Sequence, residues 1–436
     1  MSVAVAAGFS SQAFEQFLGG LREPEWSTDR RRQAWQRFAE LPMPDRTGEE
    51  WKRTDLRAFA WERFGPPEPW GGAELPPALL REGVELGGQH TTANSRTLEA
   101  HLDRRWISQG VVFGDLEQAS VDHSELIQKH LDRTVEWQAD RFDAAREAFR
   151  SGGTLLYVPR GVVVDQPLHM FAALGPGGVD LSHTLVVLED GAEATLLAET
   201  ASLDSTADGL HCGAVELCLG RGSRLRYVHL QNWGRGVWHF ARQEARLGGD
   251  ASLQWTIGAL GARLAKVNQQ VRLDEPGAAA QVNGVMFTEG RQHLAYHTRQ
   301  DHNAAHCHSD LLYKGALQDK SRIVWRGMIH VAPGAQKTDA YQRDDNLILS
   351  EAARADSIPG LEIQADDVRC SHGATIGRVD DELLFYAQTR GLSRKEATRM
   401  IVAGFFQQVF DRITIPSVQE ALAEAIGRRV REYQPS

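Results

Sequence analysis

Cys370 and His372 stand two residues apart in the stretch LEIQADDVRCSHGAT, residues 361–375, so on a β-strand their side chains leave the same face. A thiolate and an imidazole presented together can hold or hand over a soft transition metal such as iron. Two donors do not fill a coordination sphere, and a solitary cysteine is ordinarily a small buried hydrophobe. Any metal held here therefore needs ligands from elsewhere. A second concentration of donors, His293, His297, His302, His306, Cys307 and His308, lies within sixteen residues. It lacks a recognised zinc spacing, and on a strand His306 and His308 share one face while Cys307 takes the other. His302, His306 and Cys307 stay as weaker metal candidates, against the alternative of surface or interfacial histidines. Cys212 and Cys218 share strand parity, but five residues intervene, and apolar packing accounts for both.

Other chemistries find less support. A nucleophile elbow, a His-Glu-x-x-His helix and a Walker A loop are all missing. The segment GALQDKS at 315–321 lacks the Gly-Lys-Ser/Thr ending that aims a lysine and a hydroxyl at nucleotide phosphate and magnesium. Asp344 with Asp345, Asp366 with Asp367, and Asp380 with Asp381 could serve a β-helix carbohydrate-active enzyme as paired carboxylates. Solvated turn acids explain these pairs more simply.

The chain of 436 residues, 42% hydrophobic and 24% charged, suits a globular protein with one large core or two to three smaller ones. Its net charge of −10 argues against sequence-independent nucleic-acid binding, which needs a basic surface. Met1–Gly20 lacks a basic start and is broken by Gln12, Glu15 and Gln16, so no secretory signal is expected. No apolar run approaches the roughly 20 residues of a membrane span, and a cytoplasmic location is expected. Four cysteines without a Cys-x-x-Cys pair encode neither a disulfide framework nor a self-sufficient metal centre.

The elements that must position the Cys370/His372 pair follow from periodicity. Residues 10 to about 60 look helical and amphipathic, 65–88 form a Gly/Pro-rich linker, and one helix is expected over 124–150 with Gly152 as its left-handed C-cap. From Gly153 the period alternates in short runs such as residues 155–158 (LLYV) and 185–188 (LVVL). Gly191, Gly222, Gly249 and Gly277, each followed by small residues, recur at intervals of 27 to 31 residues with no helix between. That spacing suits a solenoid whose coils turn tight corners, with a β-sandwich as the alternative. The chain is thus divided into an N-terminal helical region (1–152), a parallel β-helix (153–377) and a C-terminal helical domain (378–436). In the last region Ser393 and Glu396 form a capping box, with Ala397, Met400, Ile401, Gly404 and Phe405 on one apolar face. Pro416 opens a final helix with Val418, Leu422 and Ile426 inward. Such helices would cover the last open edge of the solenoid or present a docking face.

Several short motifs appear in a fixed order: residues 335–340 (AQKTDA), 346–350 (NLILS), 359–363 (PGLEI), 370–375 (CSHGAT), 384–386 (LFY) and 390–392 (RGL), with 49–56 (EEWKRTDL) near the N-terminus. In these the chain resembles the SufB/SufD family, scaffold subunits of the SUF iron-sulfur cluster assembly machinery, and the SufD branch more closely than the SufB branch. The resemblance implies a right-handed parallel β-helix flanked by helical regions, without catalytic residues of its own. It implies pairing with a SufB-like scaffold through the C-terminal coils, a homodimer being a competing possibility. It also implies docking of a SufC-like ABC ATPase on the C-terminal helices, where Met400, Phe405 and Phe406 are the expected contacts. A transient iron-sulfur cluster would be shared with the partner at the interface, with Cys370 and His372 matching the family segment and nothing bound by the chain alone. SufB-like chains carry His-Glu-Ala where this one has His372-Gly373-Ala374, and a cysteine near the position of Asp344. The resemblance thus implies that the partner supplies the missing donors. A carbohydrate-active enzyme and a purely architectural interaction protein remain the alternatives.

Overall fold

Alternating residues build the solenoid because each coil has a dry inside and a covered outside. The computed structural model describes residues 8–431; the reading of residues 1–7 as free of a signal lies outside them. Successive coils contribute one strand to each of two ten-stranded sheets, wound as a right-handed parallel β-solenoid. One parity of side chains fills the lumen with Leu225, Tyr227, Trp255, Tyr296, Tyr313 and Trp325, all fully or nearly buried. Each large lumenal side chain removed from water contributes roughly 1.5–3 kcal/mol.

A ladder of left-handed residues turns one corner of successive coils up to Lys337. Gly161, Gly191, Gly222, Asp250, Gly277, His306 and Lys337 all have φ between 58° and 79°. The backbone N–H of each of Gly161, Gly191, Gly222, Asp250, His306 and Lys337 donates to a carbonyl at the same corner of the next coil. The glycine signal therefore marks real corners, except that Asp250 rather than Gly249 takes the left-handed turn. After Gly277 the ladder passes to His306 and Lys337, which carry no such mark.

The flanking helices cover the two outer faces of the sheets. On the second sheet, Phe142 stacks on Phe240 with ring centroids 3.6 Å apart, and Cys212, Trp238 and Leu264 join the same N-terminal aromatic core. The single helix expected over 124–150 is two, Ser124–His130 and Arg141–Ala148. Asp132 interrupts it with φ of 53°, and Asp140 caps the restart by accepting from the N–H groups of Phe142 and Asp143. Gly152 is not the C-cap of that second helix, which ends at Phe149. Its φ of 94° and lack of a side chain permit close backbone approach, since a Cβ there would lie 1.8 Å from the Ser95 carbonyl oxygen. Nor is the N-terminal region wholly helical, because Gly88–Ala93, Arg96–Leu102 and Val112–Asp115 are strands that extend the two sheets.

At the other end, the capping box of Ser393 and Glu396 opens the helix Arg394–Phe410, and Pro416 begins Pro416–Arg429 with Val418, Leu422 and Ile426 buried. These helices lie along the side of the first sheet instead of across its end. Leu422 packs on Gly258, where a Cβ would meet its Cδ2 at 2.6 Å, and Arg412 pairs with Asp310 at 3.0 Å. The buried face of Arg394–Phe410 is Ala397, Thr398, Val402, Phe406 and Val409, which turns Met400 outward. Apolar residues surround much of this helix, so periodicity alone did not select the inner face. With the helices on the side, the last coil is left uncapped.

Candidate functional site at the open end of the solenoid

Arg354–Ile363 and Arg369–Arg378 are the terminal strands of their sheets, each hydrogen-bonded to a neighbour on one side only. Their outer edges present unpaired backbone N–H and C=O groups, a template for pairing with another chain. Both strands are exposed or half-buried throughout, and Ile363 and Ile376 are 41% and 51% exposed. The rest of the coil is mixed in character, with charged Arg354, Glu362, Arg369 and Arg378 beside the two isoleucines.

Cys370 and His372 lie on the second of these strands. Their register partners are Ala340 and Gln342, both fully or nearly buried lumenal residues. Strand parity puts Cys370 and His372 on one face, as their spacing predicts, and the register turns that face toward the mouth of the lumen. Cys370 is half-buried and packs against the small cluster of Ile329, Val331, Ala335 and Ala340, whereas His372 is exposed. Burial, reinforced by the Asp339 carboxylate, pushes the Cys370 thiol above its ordinary range. In the isolated chain this sulfur is a thiol, and a metal or cation from outside must draw off its proton.

One coil deeper the lumen is polar. Gln342 reaches across it to donate to the Gly360 carbonyl at 2.8 Å. Asp344 accepts from Asn346 Nδ2 at 2.6 Å and from the Ser357 hydroxyl. Its other oxygen, Oδ1, has no partner among the described residues. Burial pushes the Asp344 carboxyl up to about 7, against the lowering effect of its bonds with Ser357 and Asn346. The reading of Asp344 and Asp345 as solvated turn acids fails, because both are buried strand residues. Asp345 faces the other way, toward Arg343 and Lys314. A polar residue in a strand gives no sign of its side until the register is known, so the sequence does not single out Gln342 or Ser357 and does not tell that Asp344 faces the lumen. Asp367 is a true turn acid paired with Lys337, and Asp380 caps the helix Asp381–Thr389. The three pairs do not converge on one groove.

The histidine-rich stretch does not converge either. His302 is buried in the lumen with Nε2 2.8 Å from Ser309 Oγ, while His306 sits exposed at a coil corner. Cys307 is buried in the lumenal core, its thiol donating to the Glu275 carbonyl at 3.4 Å. Among the expected docking residues, Met400 is 55% exposed, Phe405 is half-buried beneath the Lys314 ammonium, and Phe406 is fully buried. Phe406 thus holds the helix down and has no surface for a partner. Leu383, Phe385 and Tyr386, 54%, 69% and 59% exposed, supply the outward apolar surface of the neighbouring helix.

A metal-capable group that the sequence did not reveal lies near the other end of the molecule. Ligand atoms of Asp132, His183 and Glu216 fall within 4.8 Å of one another and can coordinate a metal ion. Here Arg146 supplies positive charge, with Nη1 2.8 Å from His183 Nδ1 and Nη2 3.3 Å from Asp132. Glu216 accepts from the backbone N–H groups of Asp132, Arg133 and Thr134, tying that turn to the sheet. No long-range sequence pattern joins these three positions.

Residues 171–405 match the SUF system FeS cluster assembly SufBD core domain, and residues 88–170 match the SufBD protein N-terminal region. Relatives include an iron-sulfur cluster assembly SufBD family protein of Mycobacterium leprae, 32% identical over 343 residues that cover 76% of this chain and 86% of the relative. A SufBD family protein of Staphylococcus saprophyticus is 25% identical over 413 residues, covering 92% and 88% of the two chains. Another from Staphylococcus haemolyticus is 26% identical over 398 residues, with coverage of 88% and 85%.

Proposed function

Because this chain belongs to the SufBD family of SUF iron-sulfur cluster assembly proteins, whose members are non-catalytic scaffolds, we propose that it is the SufD-type half of a two-scaffold assembly site. The observation that carries this reading is the placement of Cys370 and His372 on an unpaired terminal strand at the mouth of an uncapped lumen. A second solenoid, of the SufB type, docks its own last coil against these edges. The nascent cluster is then built between the two subunits, with a thiol and an imidazole from this side and the remaining donors from the other. Assignment to the SufD side rests on Gly373 after His372 and on a carboxylate at Asp344, where SufB-like chains are expected to carry an acid and a thiolate.

The C-terminal helices are proposed to dock a SufC-like ABC ATPase through Met400 and the adjacent Phe385 and Tyr386. Helices packed along the side of the solenoid leave room for a motor beside the scaffold interface. Approach of two docked ATPases could then shift that interface by a difference in contacts between two states. Co-expression with SufB-like and SufC-like partners, affinity isolation, and measurement of iron, acid-labile sulfide and visible absorption test the reading. The expected result is an inert isolated chain and a cluster-bearing complex; a full cluster on the isolated chain would overturn it.

A further inference from the structure

Asp345 is turned away from the lumen and takes no part in the proposed assembly site. On the outer face of the first sheet it is the register partner of Lys314 on one side and of Thr375 on the other. Neighbouring strands lie about 4.8 Å apart, so the three side chains form a row that ends on the terminal strand Arg369–Arg378. Thr375 stands three residues beyond His372 on that strand. Every step of the row is bonded. The Thr375 hydroxyl donates to Asp345 Oδ1, and the Lys314 ammonium stands 3.8 Å from Asp345 Oδ2. Arg343 shares the carboxylate, its Nε 3.0 Å from Oδ1. The Lys314 ammonium lies 4.7 Å from the centroid of the Phe405 ring on the helix Arg394–Phe410, and a cation over an aromatic face is attracted to it. Lys314 and Asp345 are 8% and 4% exposed, so their pair escapes most of the screening that makes surface ion pairs weak.

The same strand is joined to the helices a second time, through the chain itself. Only Val379 and Asp380 separate Arg378 from the helix Asp381–Thr389. Val379 is buried in the apolar cluster that also holds Leu347 and Phe406, and Asp380 caps the helix by accepting from the N–H of Glu382. The connector is thereby fixed at both residues. Within the sheet the strand has a single hydrogen-bonded neighbour, Asp339–Ile348. Its position depends on that one ladder and on these side attachments.

We propose that Asp345 is a positioning residue for the strand that carries Cys370 and His372, joining it through Thr375 and Lys314 to the helix Arg394–Phe410. The purpose of the joint rests on the reading of the C-terminal helices as a motor dock. A displacement of Phe405 changes the seat of the Lys314 ammonium, which burial disfavours and the Asp345 carboxylate compensates. The carboxylate follows its counter-ion and the Thr375 hydroxyl follows the carboxylate, so the donor strand responds to the helix.

The test is a double-mutant cycle on the purified full-length chain, read by deuterium exchange of the amides in residues 369–378, with the lumenal strand Leu264–Leu273 as reference for global stability. It needs no partner, so its failure removes the joint and leaves the motor dock to be judged by capture of the ATPase. F405A, at the far end of the row, should speed exchange in 369–378 by about threefold or more relative to the reference. In T375V the same substitution should add less than about 1.5-fold, and in T375S, which keeps the hydroxyl, the full response should return. A merely stabilising Thr375 would raise exchange by itself and leave the F405A increment unchanged. An equal F405A increment in the wild type and in T375V, or none in the wild type, overturns the proposal. Should F405A fail to fold, K314Q takes its place with the same response expected in the wild type and the same loss in T375V.

Discussion

Cys370 keeps its proton because a half-buried sulfur beside Asp339 is a poor place for negative charge. Its alkylation in the isolated chain, followed by mass spectrometry, should be slower at pH 7.5 than that of a free cysteine and still be rising at pH 9; a plateau below pH 8 would contradict this. Asp344 makes the opposite contribution to stability from a salt-bridged acid. Its folded pKa of about 7 stands above the ordinary 3.8, so between those values the folded chain binds more protons than the unfolded one. Stability therefore falls as pH rises through that window. D344N should remove the loss and stabilise the chain by about 1–3 kcal/mol at pH 8, with little gain at pH 4, as read by denaturant unfolding. The shared face of Cys370 and His372 was legible in the sequence because strand parity is a local property. The burial of Asp344 was not, since it depends on the register of Asp339–Ile348 against Arg369–Arg378 and on a serine from the opposite sheet.

At the level of elements, the helix Arg394–Phe410 divides its residues between holding and presenting. Phe406 is buried among Leu384, Val402 and Phe410, and F406A should cost about 3–5 kcal/mol. M400A should change stability by no more than about 0.5 kcal/mol, yet weaken capture of a SufC-like ATPase in pull-down. Equal stability loss in the two variants would contradict the assignment of faces. The capping box and the proline start were readable because they need only neighbouring residues. The inner face was not, because Met400, Ile401, Phe405 and Phe406 offer apolar side chains to several directions and the sheet chooses among them. The corner ladder shows the same limit: glycine marks it as far as Gly277, after which His306 and Lys337 adopt left-handed turns held by hydrogen bonds to the next coil.

The whole molecule is a stack closed along its sides and open at one end. Strand, helix and corner signals predicted the solenoid, but the position of the C-terminal helices depends on contacts such as Leu422 on Gly258 that have no local signature. Their sideways placement exposes Ile363 and Ile376 together with two unpaired strand edges. I363K/I376K should leave the monomer folded while abolishing association through this end, as measured by light scattering on the co-expressed scaffolds. The most direct test is to isolate the complex of H372A with SufB-like and SufC-like partners and measure its subunit ratio, iron, sulfide and visible absorption. An intact complex that has lost most of its cluster is the predicted result, and an intact complex with wild-type cluster content would contradict the account.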